Sequence, residues 1–186
     1  GKSIFLQGGA IVWNELVQYV YARLLWDPTL STHDLISEFL DLYYGKAAAP
    51  VAEFIHRAEA ETRLVGNHPQ CSGRNILKGC GFTQDLGWRG VDLFEQALER
   101  AASPQVKRRV EKASMAAYRL SLGDIWLGKP IEGMTQEDKA KYRQSARRVL
   151  ELCEQFKIIS LHEGRRIEDL APAMRKALGM GEEESF

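Results

Sequence analysis

The sequence has no surplus of charge of either sign, since 25 lysines and arginines balance 25 aspartates and glutamates. A balanced chain produces no overall field to attract nucleic acid or an anionic membrane, so we expect neither as a partner. The sequence also lacks a membrane-length apolar run. The longest apolar run lies within residues 11–26 and is interrupted by four polar residues, Asn14, Glu15, Gln18 and Arg23. It is too short to span a bilayer, which takes about 20 residues. The default expectation is a soluble partner or no partner.

Cysteine is scarce, and its odd number excludes a framework of paired disulfides. A single bridge between Cys71 and Cys80 stays open, as do free or buried thiols at all three positions, Cys153 included. The cysteine content therefore does not decide between an oxidising and a reducing compartment, and it is compatible with a secreted or periplasmic parent protein. His68, Cys71, Cys80 and His162 carry zinc-ligand chemistry, but the two cysteines are spaced far wider than a zinc knuckle. We expect no metal site.

Short motifs for familiar chemistry are also missing. The sequence contains no glycine-rich phosphate loop, no serine-nucleophile elbow and no His-Glu zinc helix. The triplet Trp13-Asn14-Glu15 has the Asn-Glu order of glycosidase acid/base strands, but that chemistry needs a second carboxylate at a strand end. Here the triplet lies in a helical pattern. We therefore expect no catalytic residue and no cofactor in this chain.

The chain begins with Gly-Lys-Ser-Ile-Phe-Leu instead of a methionine, and a leading glycine is common after tag removal. Residues 3–6 are typical of the end of a buried strand, followed by a turn at Gln7-Gly8-Gly9. A lone strand needs neighbours for its backbone hydrogen bonds. We therefore expect a piece of a larger fold with partner strands upstream.

Most of the chain has helical periodicity. Residues 10–26 are apolar on nearly all sides, which is typical of a helix packed between two layers. Pro28 disfavours helical geometry at Asp27 and ends this helix, while Ser31 or Thr32 caps the next one, which stops at Gly45. Further segments follow: helix 47–65, an irregular loop 66–81, helix 83–102, helices starting at Ser103 and at Thr135, an extended piece 158–161, helix 167–178 and a frayed acidic tail 179–186.

The helices that start at Ser103 and Thr135 share one apolar spacing, so we expect them to pack together. The shared spacing runs through Val106, Val110, Ala113, Ala117 and Leu120 in one, and Tyr142, Ala146, Val149, Cys153 and Phe156 in the other. The basic stretches 106–112 and 139–148 are interpreted as solvated faces of these helices. The fold class predicted is all-α, an irregular multi-helix bundle behind a strand-helix remnant.

A dense set of aromatic residues could suggest a sugar-stacking platform. Helical periodicity instead favours core or interface positions, where an aromatic ring buries area and its polar tip is satisfied. The set comprises Trp13, Tyr19, Tyr21, Trp26, Tyr43 and Tyr44.

Three elements in residues 15–55 resemble a known family: Tyr-x-x-Ala-x-Leu-Leu-Trp-Asp-Pro at 19–28, Leu-Ile-x-Glu-Phe at 35–39 and Tyr-Tyr-Gly-x-Ala-Ala at 43–48. They are similar to the C-terminal part of bacterial glycoside-hydrolase-like proteins of a domain-of-unknown-function family described as distantly related to α-glucuronidases. Residues 93–113 also look like the family's helical hairpin, and residues 161–170 like its closing segment.

The resemblance implies a (β/α)8 barrel followed by a helical region, with the active site at the C-terminal ends of the barrel strands. Residues 1–27 would then be the last barrel strand and helix, residues 28–178 the helical domain and residues 179–186 a disordered tail. Gln7 would face the sugar pocket and bind substrate hydroxyls. The catalytic carboxylates would lie upstream, and the helical region would support the barrel and contribute to a homodimer.

Three hypotheses of function follow. The first is an accessory C-terminal helical domain of a glycoside hydrolase, α-glucuronidase-like and inactive alone, which contacts carbohydrate through the parent enzyme and has the upstream barrel as its partner. The second is a self-contained helical protein-interaction module. The third is a chain that itself binds or cleaves a sugar. Substrate, linkage and the activity of the parent stay open.

Overall fold

The computed structural model describes residues 12–65, 80–162, 165–181 and 184–186. Within these ranges the fold is all-α, as predicted, with one small antiparallel pair of strands, β1 Ser160–His162 and β2 Arg165–Arg166. The helices are α1 Asn14–Trp26, α2 Thr32–Tyr44, α3 Ala48–Val65, α4 Gln84–Arg100, α5 Pro104–Leu122, α6 Gln136–Gln155 and α7 Ile167–Ala177, with 3-10 turns at Gly45–Ala47 and Gly123–Leu127. The strand predicted at residues 3–6 lies outside the described ranges.

Side chains cap the starts of four helices, and at three of them, Ser31, Ser103 and Thr135, the sequence predicts that a helix starts. The side chains of Ser31, Thr83, Ser103 and Thr135 each accept a hydrogen bond from the backbone N–H three residues later. At α6 the cap is reciprocal, because the Asp138 carboxylate also accepts from the backbone N–H of Thr135 at 2.9 Å. Such caps satisfy N–H groups that have no partner inside the helix, and so fix where each helix begins.

The first helix begins later than predicted. We expected it from residue 10, but α1 starts at Asn14, after Trp13 in a left-handed conformation with φ 71°; residues 10 and 11 lie outside the described ranges. The Trp13 ring lies 6.3 Å from the ring of Phe54 and 6.2 Å from that of Phe94. Aromatic packing of this kind offsets the cost of a positive φ in a bulky residue.

Two hydrophobic cores share α5. The first core joins one side of α5 to α1, α2, α3 and α4 through residues such as Leu35, Val51 and Phe94. The second joins another side of α5 to α6, α7 and the turn Gly123–Leu127, where Trp126 is fully buried. Buried on two sides, α5 is the central element of the described structure.

The pairing of α5 with α6 uses a different stripe of α5 from the one predicted. The predicted stripe, which includes Val110 and Ala117, belongs to the first core, where α5 contacts α2 and α4. The stripe in the second core consists of Met115, Tyr118 and Leu122. The prediction that these helices pack together is therefore right, but the predicted contact on α5 is wrong. A shared spacing identifies an apolar face without naming its partner.

Helices α4 and α5 approach closely because α4 carries two glycines at their contact. A Cβ at Gly90 would lie 2.6 Å from Cε2 of Phe54 and 2.8 Å from Cβ of Ala117. Gly87 meets the backbone of α5 still more directly, since a Cβ there would lie 2.7 Å from Cα of Ser121. Helix propensity alone counts both glycines as destabilising, by about 1 kcal/mol each relative to Ala, whereas the packing requires them.

The chain end differs from the frayed tail that we expected over residues 179–186. Phe186 is buried against the second core, and its ring lies 4.8 Å below the guanidinium carbon of Arg175. The Nε of Arg175 also donates to the backbone oxygen of Glu184 at 2.9 Å. Packing of the terminal phenylalanine against the second core holds the chain end in place, although acidic residues precede it.

Candidate docking face and neighbouring cavities

One side of α1 is exposed and carries no charge. Its residues form two adjacent rows with a spacing of four, which places them on one helical face. Trp26 is 91% exposed and Leu25 51%, although both are large apolar side chains. We call this surface the α1 face; it consists of Val17, Gln18, Tyr21, Ala22, Leu25 and Trp26.

The opposite side of α1 holds the helix in place. Leu16 and Val20 are buried in the first core. Glu15 accepts a hydrogen bond from Nζ of Lys112 on α5 at 2.5 Å, and Arg23 pairs with Glu38 of α2 at 3.1 Å. The α1 face is therefore presented by a helix that is fixed from behind.

The corner after α1 explains why the helix stops at Trp26. The Asp27 carboxylate accepts hydrogen bonds from the backbone N–H of Thr29 at 3.0 Å and from its hydroxyl at 2.7 Å. These two bonds lower the pKa of Asp27 from its usual value, because they favour the charged form. Together with Pro28 they fix the turn and hold Trp26 at the edge of the α1 face.

The predicted site residues divide between described and undescribed parts of the chain. Gln7 lies outside the described ranges, so its proposed contact with substrate is a prediction still. Glu15, weighed as a glycosidase-type acid, forms the ion pair with Lys112. This contact gives it a structural role in joining α1 to α5.

The six aromatic residues considered for sugar stacking separate into two groups. Tyr44 is buried, and Trp13, Tyr19 and Tyr43 are partly buried against the first core. Burial raises the pKa of the Tyr44 hydroxyl above its usual range. Only Tyr21 and Trp26 of the six are exposed, both on the α1 face. The interpretation as core or interface residues is therefore confirmed for the buried members.

The thiols are buried where the structure describes them. Cys80 and Cys153 are both free, and burial raises the pKa of Cys153 to about 12. Cys71, His68 and the side chain of His162 lie outside the described part. In that part, no three side chains of His, Cys, Asp or Glu come together as metal ligands would.

The basic stretches are less solvated than we expected. Arg109 donates to the backbone oxygen of Tyr43 at 2.8 Å and lies 4.0 Å over that residue's ring. Arg148 pairs with Glu111 at 3.4 Å, which links α6 to α5. Several of these basic residues therefore join helices, a role that spacing along one helix cannot reveal.

A cleft of about 410 Å³ between α4, α5 and α6 was missed by the sequence reasoning. Its aromatic wall contains Trp88 and Tyr142, whose ring centroids are 5.4 Å apart, beside Tyr118. Asp92 and Glu95 lie on its rim. The spacing of Trp88, Asp92 and Glu95 along α4 is helical and could have indicated a shared face. The mixed lining suits a polar ligand.

A second cavity, of about 300 Å³, has an apolar lining drawn from α1, α3, α5 and Phe82. Among the described residues that line it, Arg119 of α5 is the charged one. In the sequence Arg119 is one arginine among many on a helix, and no pattern marks it as buried.

Comparison with known proteins gives one finding. A family model for a "Domain of unknown function (DUF4838)" matches residues 7–56. These residues include α1, α2 and the first turns of α3. Neither the curated proteins nor the solved structures contain a match to this chain. No helix of the described residues has the length and apolar character needed to cross a membrane.

Proposed function

We propose that this chain is an accessory helical domain of a larger carbohydrate-active, glycoside-hydrolase-like protein, related to α-glucuronidases. In this proposal it packs on a catalytic barrel through the α1 face and is not catalytic alone. The single observation that carries the proposal is the large, uncharged and exposed α1 face on a helix that is fixed from behind. The family match over residues 7–56 supports it by including this helix.

The composition of the α1 face suits a buried interface. The centres of protein interfaces are depleted in charge and enriched in aromatic residues, and Tyr21 and Trp26 supply such anchors here. Isolated exposed apolar residues are ordinary, whereas a contiguous apolar patch marks an interaction site. Leu42 is also 74% exposed but belongs to a different helix, α2, so it provides a matched control.

The barrel and the carbohydrate substrate enter this proposal from the sequence resemblance. In such an arrangement α1 would lie between the barrel and the helical core, which accounts for a helix that is apolar on two sides. Homodimerisation is a second part of the proposal. In a homodimer, the α1 face would join two copies of the chain instead of joining the chain to a barrel. The self-contained interaction module is the alternative, and it would bind a protein partner through the loop 66–81 and the basic stretches 106–112 and 139–148.

The test compares the 186-residue chain with the same chain extended upstream to its natural start. We expect hydrolysis of aryl glycosides or glucuronides by the extended chain alone. Leu25→Glu should lower the Tm of the extended chain while leaving that of the 186-residue chain nearly unchanged. Leu42→Glu, the control, should leave both unchanged.

Three outcomes would contradict the proposal. Hydrolysis by the 186-residue chain would place catalysis in the helical domain. Absence of hydrolysis by both chains would favour the interaction module. An equal effect of Leu25→Glu in both chains would mean that the α1 face has no partner upstream.

A further inference from the structure

The cavity lined by Arg119, which we call the Arg119 pocket, is separate from the α1 face. Rings and aliphatic chains form its wall: Trp13 at the start of α1, Phe54 and Ile55 of α3, Phe82 before α4, and Leu120 of α5. The rings of Trp13 and Phe54 stack with an interplanar angle of 18°. A wall of this kind accepts an apolar body, and especially a flat ring.

Arg119 supplies a positive charge that the surrounding protein does not neutralise. Its Nε is buried and has no hydrogen-bond partner, and no carboxylate in the described part of the chain lies within ion-pair distance of it. Burial lowers the pKa of the guanidinium because an apolar environment disfavours its charged form. The Arg119 residue as a whole is half-buried, and a partly desolvated charge without a counter-ion is still costly, so an anion that pairs with it would bind favourably.

Two acidic residues on the helices that line the pocket have partners of their own. Glu15 pairs with Lys112. Glu61 of α3 accepts from the backbone N–H and the hydroxyl of Thr83, at 2.8 and 2.9 Å. The guanidinium carbon of Arg119 does lie 5.6 Å from the ring of Trp126. A cation–π contact at that distance offsets only part of the desolvation of a guanidinium and uses none of its N–H donors.

We propose that the Arg119 pocket is a binding site for a small organic carboxylate with an apolar, ring-containing body. The carboxylate would accept hydrogen bonds from the Arg119 guanidinium, whose forked donors match its two oxygens. The ring would lie among Trp13, Phe54 and Phe82. A volume of about 300 Å³ is at the lower end for ligand sites, which restricts the ligand to a compact molecule. This inference does not depend on the carbohydrate-related proposal above.

The experiment uses naphthalene-2-carboxylate and its neutral analogue naphthalene-2-carboxamide as probes of the 186-residue chain. The two share a ring system and differ in charge. By titration calorimetry we expect the carboxylate to bind about tenfold or more tightly than the amide, since a charge-assisted pair replaces a neutral one. The carboxylate should also raise the Tm, because a ligand that binds the folded state stabilises it.

Two variants separate a binding role of Arg119 from a purely structural one. Arg119→Met keeps the length of the side chain and removes the charge, so the variant should fold with an unchanged or higher Tm and bind the two probes equally. Arg109→Met, at an arginine that does have partners, should retain the preference for the carboxylate. Ala116→Leu would fill the pocket from α5 and should abolish binding of both probes while Arg119 remains.

Several results would overturn the inference. One is that the carboxylate does not bind at millimolar concentration. Another is that the unmodified chain binds carboxylate and amide equally. A third is that Arg119→Met retains the preference for the carboxylate. Unchanged binding in Ala116→Leu would place the probe elsewhere on the protein. If Arg119→Met fails to fold, the Ala116→Leu variant and the comparison of the two probes still decide the question.

Discussion

Gly87 of α4 lies directly against the backbone of Ser121 in α5, and a Cβ at residue 87 would meet the backbone of Leu120 and Ser121 inside contact distance. We therefore expect Gly87→Ala to force α4 and α5 apart and to destabilise the fold. The cost of overpacking, typically about 1–3 kcal/mol, should exceed the gain of about 1 kcal/mol in helix propensity. Chemical denaturation monitored by circular dichroism measures the change.

Gly181 provides the control for this substitution, since nothing lies within 4 Å of a Cβ at that position. Gly181→Ala should leave the free energy of unfolding nearly unchanged. Equal stability of Gly87→Ala and the unmodified chain would show that α4 and α5 are not packed as closely as described.

The cap of α6 should make stability depend on pH. Hydrogen bonds from the hydroxyl and backbone N–H of Thr135 lower the pKa of Asp138 in the folded state. A carboxyl whose pKa is lower in the folded state stabilises the protein at pH values above its unfolded-state pKa of about 3.9. This stabilisation is lost as the pH falls through the pKa of the folded state. Asp138→Asn should therefore lower the Tm at pH 7, and the difference from the unmodified chain should vanish in strong acid.

Thermal unfolding between pH 2 and 7 tests this prediction. Asp92→Asn is a suitable control, because Asp92 lies on the rim of the cleft beside α6 and caps no helix. A Tm difference for Asp138→Asn that grows as the pH falls would contradict the assignment of the cap.

The described thiols should resist modification in the folded protein. Cys153 is 1% exposed with a pKa raised by burial to about 12, and burial also raises the pKa of Cys80. Because the thiolate is the reactive form, a Cys71→Ser variant should react with Ellman's reagent at pH 8 only after denaturant is added. It should then release two equivalents of the thiol product. Rapid reaction without denaturant would mean that Cys80 or Cys153 is accessible.

Removal of the last two residues should destabilise the second core. Phe186 is 7% exposed, and burial of a phenylalanine side chain contributes about 1.5–3 kcal/mol. Deletion of Ser185 and Phe186 should lower the free energy of unfolding by roughly that amount, as measured by denaturant titration. Phe186→Leu should retain most of the stability. If the deletion leaves the free energy of unfolding unchanged, the tail is frayed, as the composition predicts.

The sequence predicts local structure well where a backbone group needs a particular side chain. The caps at Ser31, Ser103 and Thr135 and the stop at Asp27-Pro28 act within a few residues, so a short stretch of sequence carries the whole signal. Contacts between distant segments are less predictable. The stripe through Val110 predicts an apolar face correctly, but it does not predict that this face belongs to the core shared with α2 and α4 and not to the core shared with α6.

The candidate sites could be predicted only in part. The two-sided apolar character of α1 is visible in the sequence, and with it the expectation of a second packing surface. The Arg119 pocket is not, because a lone arginine on a helix of mixed composition resembles any solvated arginine. The pocket exists only in the complete fold, which brings Trp13 and Phe82 from distant parts of the chain to the same cavity as Arg119.

The burial of α5 on two sides also affects how its amide protons exchange with solvent. A helix that belongs to both cores has no side from which it can open while either core is intact. Its slowest amides, near Ala117, should exchange with deuterium only when the whole described structure unfolds, so their protection should report the global free energy of unfolding. Amides in α1, which has an exposed face, should exchange sooner through openings that leave the rest of the protein folded.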